Sequence, residues 1–139
     1  MSRRWFIDTG FVIVMASSRD AFHDLAQHLS TRVESESIAL VTSDAILLEI
    51  GAALSRLAYR RAAVEILDSL RRDPNVEIVP LDRTLMDSAI VLFATRTDKE
   101  WSLADCVSFE IMRVHDLNEA LSADGHFEQA GFAALLRKQ

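Results

Sequence analysis

The chain has 139 residues, half of them hydrophobic, with 4 glycines, 2 prolines and a single cysteine. That length buries a real core, and the composition excludes a disordered or low-complexity protein. A formal net charge of -6 argues against unspecific duplex binding, although acids gathered around a cation would contribute to it.

Cys106 alone excludes an intrachain disulfide and a thiolate zinc cluster, and its apolar surroundings suit a small buried hydrophobe. No apolar stretch approaches the roughly 18 residues of a membrane span, so no membrane contact is expected. The run after Arg3 and Arg4 is broken at once by Asp8, unlike a signal peptide. A cytoplasmic location and one domain over residues 1–139 are the resulting expectations.

In chain order, Trp5 to Ile7 is a short buried strand closed by Asp8-Thr9-Gly10. A helix through Phe11, Val12, Val14 and Met15 ends near Ser17-Ser18. A second starts by Asp20 with Phe22, Leu25, Ala26 and Leu29 on one stripe. Thr31 to Ser37 reads as a loop, and Ile38 to Val41 as a strand closed by Thr42-Ser43-Asp44. Helices follow from Asp44 to Leu57 and from Tyr59 to Arg72, where Asp73-Pro74-Asn75 breaks the pattern. Val76 to Leu81 is a third strand, Thr84 to Thr95 a helix, and Arg96 to Glu100 a polar turn. Ser102 opens a helix reaching Val114. Glu119 to Asp124 is a weaker strand, a single turn follows Gly125, and Phe132 to Leu136 is a last edge strand. Such alternation points to a mainly parallel sheet covered by helices, with the strands' carboxyl ends along one rim.

Several acids stand where that rim would lie. Asp8 either caps the following helix or faces a ligand at a strand end, and the segment alone does not decide. Glu49 shares its helix face with Ala45, Ile46, Ala52 and Ala53, so it points into a packed environment unless the alanines leave it in water. Asp105 lies three residues after Ser102 in a capping-box spacing, a structural role compatible with a ligand role. Asp124 repeats the arrangement at Asp8, with an apolar strand before it and glycine after; an ordinary turn aspartate fits equally. Four such acids together select a hard cation such as Mg²⁺ or Mn²⁺, with Thr9 and Ser102 placed to orient an acid or a water.

Other constellations are weaker. His23 and His28 have the wrong spacing for a zinc pair on one face, and no phosphate-binding glycine loop is present. Glu110 has Arg113 three residues on as an ordinary partner. His115 suits a helix end, and His126 is read as a surface histidine within reach of a substrate. Arg60-Arg61, Arg71-Arg72, Arg96 with Lys99, Arg113 and Arg137-Lys138 are the available basic groups for RNA. Asp8-Thr9-Gly10 also matches the active-site tripeptide of aspartic proteases, but helical periodicity and scarce glycine and proline contradict that all-β fold.

Taken in order, Phe6-Ile7-Asp8-Thr9-Gly10, Thr42-Ser43-Asp44 leading to Glu49, Ser102-Leu103-Ala104-Asp105-Cys106, and Asp124-Gly125-His126-Phe127 with Gly131-Phe132 resemble the PIN-domain family. The likeness is greatest to the VapC-type toxins of bacterial toxin–antitoxin pairs. It spans essentially the whole chain.

The resemblance implies an α/β fold of three α/β/α layers around a central, mainly parallel sheet of four to five strands. It implies a Mg²⁺- or Mn²⁺-dependent endoribonuclease acting on RNA. Asp8, Glu49, Asp105 and Asp124 would then be the metal-binding acids, supported by Thr9 and Ser102. A homodimer and a cognate antitoxin are the implied partners. Alternatives are a non-catalytic PIN-like module that binds RNA or protein, and an RNA-processing nuclease without an antitoxin. Gly10 departs from the family's usual Ser or Asn, and Ala104 and Ala123 stand where Thr or Asn is common.

Overall fold

The computed structural model describes residues 3–137. Its five strands are β1 (Arg4–Ile7), β2 (Ala39–Ser43), β3 (Val76–Val79), β4 (Glu119–Leu121) and β5 (Ala133–Ala134). Seven helices connect and flank them: α1 (Thr9–Ala16), α2 (His23–Ser35), α3 (Asp44–Ala53), α4 (Leu57–Arg72), α5 (Arg83–Thr95), α6 (Leu103–Val114) and α7 (Gly125–Gln129). The strand order is β3-β2-β1-β4-β5 and every pairing is parallel, within α/β/α layers.

The order has a consequence for ligands. From β1 the chain crosses outward to β2 and β3, then returns to lay β4 on the other side of β1. The strand order therefore reverses between β1 and β4. In open parallel sheets the crevice beyond the carboxyl ends at such a point is where ligands bind. Ile7 pairs with Leu121, so the residues that leave the sheet side by side there are Asp8 and Ser122.

After Arg4, β1 is hydrophobic because it is the central strand: Trp5, Phe6 and Ile7 are all buried. Behind the rim, Phe127 packs 6.3 Å from Phe6 and meets Phe109 edge-on at 5.1 Å, while Trp101 meets Phe109 at 5.0 Å. These aromatic contacts join α6 and α7 to the sheet. Thr42 is wholly buried, and its hydroxyl donates to the Ile7 carbonyl at 3.0 Å, tying β2 to β1 at the rim.

Several boundaries differ from the sequence expectation. The stretch Thr31 to Ser37 is mostly helix, because α2 runs to Ser35. Val33 continues the buried stripe of Ala26 and Leu29, and Arg32 pairs with Glu36 one turn on at 2.6 Å. The helix expected from Asp44 to Leu57 stops at Ala53, and Leu57 already belongs to α4. β3 ends at Val79 rather than Leu81, since Pro80 has no N–H to continue the ladder. β4 ends at Leu121, and residues 122–124 turn out of the sheet, leaving Asp124 at the N-cap of α7. Gly131 then takes a φ of 96°, which a side chain would strain.

Phe127 is the anchor of a five-residue helix that could not persist alone. Phe127→Ala is expected to cost about 3–5 kcal/mol of stability. Urea denaturation followed by circular dichroism measures this, and a loss within experimental scatter would contradict the packing described.

Candidate active site

Each acid singled out from the sequence arrives at the rim on a different element. Asp8 follows β1 and occupies the N-cap position of α1, yet its side chain makes no capping hydrogen bond. Instead the Ser122 hydroxyl donates to Asp8 Oδ2 at 2.7 Å. The cap alternative for Asp8 is thereby set aside. Glu49 sits in the second turn of α3, where Thr9 Oγ1 donates to Glu49 Oε1 at 3.2 Å. Ala45 and Ile46 beside it are buried while Ala52 and Ala53 are exposed, which leaves Glu49 partly buried.

Asp105 completes a reciprocal capping box with Ser102, accepting from the Ser102 N–H at 3.1 Å while its own N–H donates to Ser102 Oγ at 2.9 Å. On its other side, His126 Nδ1 lies 2.9 Å from the same Asp105 Oδ2. Asp124 caps α7, accepting the His126 N–H on Oδ1 at 2.9 Å. Its own N–H donates to Ser122 Oγ at 3.0 Å. One atom each from Asp105, Asp124 and His126 falls within a 4.8 Å span, close enough to share an ion.

The electrostatics join the remaining two acids to this group. Burial pushes the Asp8 carboxyl from 3.8 up to about 6, with Glu49 and Asp124 adding repulsion. The hydrogen bonds from Ser122 and the Thr9 backbone only partly offset that rise. Glu49 is also raised, first by burial and then by the charges of Asp105 and Asp124, against the Thr9 hydrogen bond. Among the described residues no lysine or arginine forms an ion pair with any of the four acids; His126 is the only basic partner. Donors therefore orient these carboxylates, but little neutralises them.

Thr9 and Ser102 each donate a hydrogen bond to one of these acids, Glu49 and Asp105. Two further side chains belong to the site that the sequence alone does not bring forward. Ser122 is wholly buried and bridges Asp8 and Asp124. Its signal was a hydroxyl in an apolar strand two residues before an acid. His126 is in the acid cluster and not merely on the surface.

Other candidates have structural partners. Glu110 is held by the Arg113 guanidinium through two 3.1 Å hydrogen bonds. His23 Nδ1 meets the Val14 carbonyl at 2.9 Å. Burial pushes the Cys106 thiol up, so it is no ready nucleophile. Of the basic groups, Arg96 pairs with Asp98 and lies over Trp101, and Arg137 pairs with Glu128 beside Gly125. Lys138 lies outside the described residues. Gly10 is exposed, and a Cβ built there would meet nothing within 4 Å.

The PIN domain family model matches residues 5–133. The chain belongs to the PIN domain family. Among relatives, the 23S rRNA-specific endonuclease VapC20 of Mycobacterium tuberculosis is 30% identical over 127 residues, covering 91% of this chain and 94% of the relative. The crystal structure of that organism's VapC20, a sarcin-ricin loop cleaving toxin, has a TM-score of 0.82 at 29% identity over 92% of this PIN domain and 95% of that chain. FitAcB from Neisseria gonorrhoeae shares the fold, with a TM-score of 0.65 at 18% identity over 93% and 94% of the two chains. So does VapBC2 from Rickettsia felis, solved with a fragment of promoter DNA, with a TM-score of 0.68 at 10% identity over 94% and 96%.

The raised Asp8 carboxyl makes a signed pH prediction for the metal-free PIN domain. Its folded pKa lies above its unfolded value, so its contribution to stability is complete below pH about 3.8 and fades as pH rises through about 6. Asp8→Asn should therefore gain on the parent chain, by up to about 3 kcal/mol, between pH 4 and 7 in EDTA. Denaturant unfolding of the pair across that range measures the difference. A difference that stays flat with pH would contradict the assignment.

Proposed function

We propose that this protein is a Mg²⁺- or Mn²⁺-dependent endoribonuclease, a single domain over residues 1–139 that acts as the toxin of a toxin–antitoxin pair. One observation carries the reading: four carboxylates from four elements converge at the switch point of a parallel sheet, with no lysine or arginine partner among the described residues. The donor set fits a hard cation, being carboxylate oxygens with no thiolate within reach. Two of those carboxyls are partly buried and raised, which is the state an opposite charge relieves.

Asp8, Glu49, Asp105 and Asp124 would hold the ion. When bound, it supplies charge neutralisation for a phosphodiester and a lowered pKa for a water. The chain's own groups set the geometry. Thr9 turns Glu49, Ser122 turns Asp8, and the N-terminal turn of α6 turns Asp105. Glu49 and Asp105 are each held through one oxygen, which leaves the second for the ion.

The substrate we assign is RNA, and the printed activity of the mycobacterial relative makes structured ribosomal RNA the first one to try. A nuclease of that kind needs restraint in its own cell, which supports a cognate antitoxin covering the site. Exposed Ile90, Val91 and Phe93 on α5 support a homodimer. No helix of the described residues is long and apolar enough to cross a membrane, and we place the protein with its RNA in the cytoplasm.

Asp8→Asn and Asp105→Asn, each checked for an unchanged circular dichroism spectrum, test the reading on ribosomal RNA with Mn²⁺. Each should lose more than the roughly 10–100-fold typical of removing a supporting partner, and EDTA should silence the parent chain. Cleavage that survives EDTA, or parent-like rates in both variants, would remove the proposed site.

A further inference from the structure

We propose that His126 is a positioning residue of this site, holding Asp105 and Asp124 in one fixed arrangement; the proposal rests on the metal-site reading above. His126 reaches both acids at once. Its Nδ1 is 2.9 Å from Asp105 Oδ2 and 3.5 Å from Asp124 Oδ1, and its backbone N–H donates to Asp124 Oδ1 at 2.9 Å. No other side chain of the site bridges α6 and α7 in this way among the described residues.

The ring is well placed for that task because its backbone is anchored. The adjacent Phe127 is wholly buried between the rings of Phe6 and Phe109. Asp105 Oδ2 in turn receives two donors, the Ser102 N–H at 3.1 Å and the imidazole at 2.9 Å. Two donors on one oxygen restrain the carboxylate's torsion and leave Oδ1 without a hydrogen-bond partner among the described residues. A carboxylate only accepts, so Nδ1 carries the proton in this contact. The chemistry required of position 126 is therefore a donor at the Nδ1 position. Asparagine places its amide near that position; glutamine places it farther out; alanine has none.

The test is Mn²⁺ calorimetry on the purified full chain, with kcat and KM for RNA cleavage measured on the same preparations. His126→Ala should weaken Mn²⁺ binding by about 10–100-fold and lower kcat with KM little changed. His126→Asn should recover most of both losses, and His126→Gln should not. Melting temperatures of all three should stay close to the parent's, since the ring is part-exposed. Parent-like Mn²⁺ affinity in His126→Ala overturns the proposal. So does a His126→Asn variant as impaired as His126→Ala, because the imidazole would then act directly on metal or substrate. A parent chain without saturable Mn²⁺ binding overturns the metal-site reading instead.

Discussion

Four carboxylates in a partly dry cleft repel one another, and a fold that gathers them must supply opposite charge or polar donors. This chain supplies donors first. Asp8 stands at the N-cap of α1, Asp124 at the N-cap of α7 and Asp105 in the first turn of α6, where helix ends carry partial positive charge. Ser122, Thr9 and Ser102 add directed hydrogen bonds. The compensation is incomplete: Asp8 still sits near 6 and Glu49 is still raised. Among the described residues no lysine or arginine pairs with these acids, and His126 is their one basic partner. Charge and geometry alike suit a bound cation at this rim.

Topology explains why the requirement is met at one place. Placing β1 between β2 and β4 makes its carboxyl end the point where the strand order reverses, the place where parallel sheets bind ligands. The Ile7–Leu121 register then sets Asp8 beside Ser122. The buried Ser122 hydroxyl is the link between the early and late halves of the chain. It donates to Asp8 and accepts from the Asp124 N–H, so the two strand-end acids share one hinge point.

Much of this was legible without coordinates, for identifiable reasons. β1 and β2 announce themselves as short apolar runs ending in acid or hydroxyl. Ser102 and Asp105 carry a local capping signal that the structure reproduces in full. Glu49 was singled out by its alanine neighbours; its true environment is intermediate, with Ala45 buried and Ala52 exposed. The roles of Ser122 and His126 were not legible in the same way. They depend on a pairing between strands over 110 residues apart and on a short helix held by distant aromatic rings. The sequence reading ends α2 too early although the causes of its length are local, Val33 in phase with Ala26 and Leu29 and an Arg32–Glu36 pair on the outer face. Gly10 is the reverse case: the sequence marks it as unusual, and the structure gives it open space and no duty.

The most direct test of the account is the anomalous scattering of Mn²⁺ in crystals grown or soaked with that ion near neutral pH. A peak at roughly 2.0–2.6 Å from carboxylate oxygens of Asp8 and Asp124, with Glu49 and Asp105 around it, is the predicted result. A peak elsewhere on the surface, or none at a concentration that supports RNA cleavage, would contradict it.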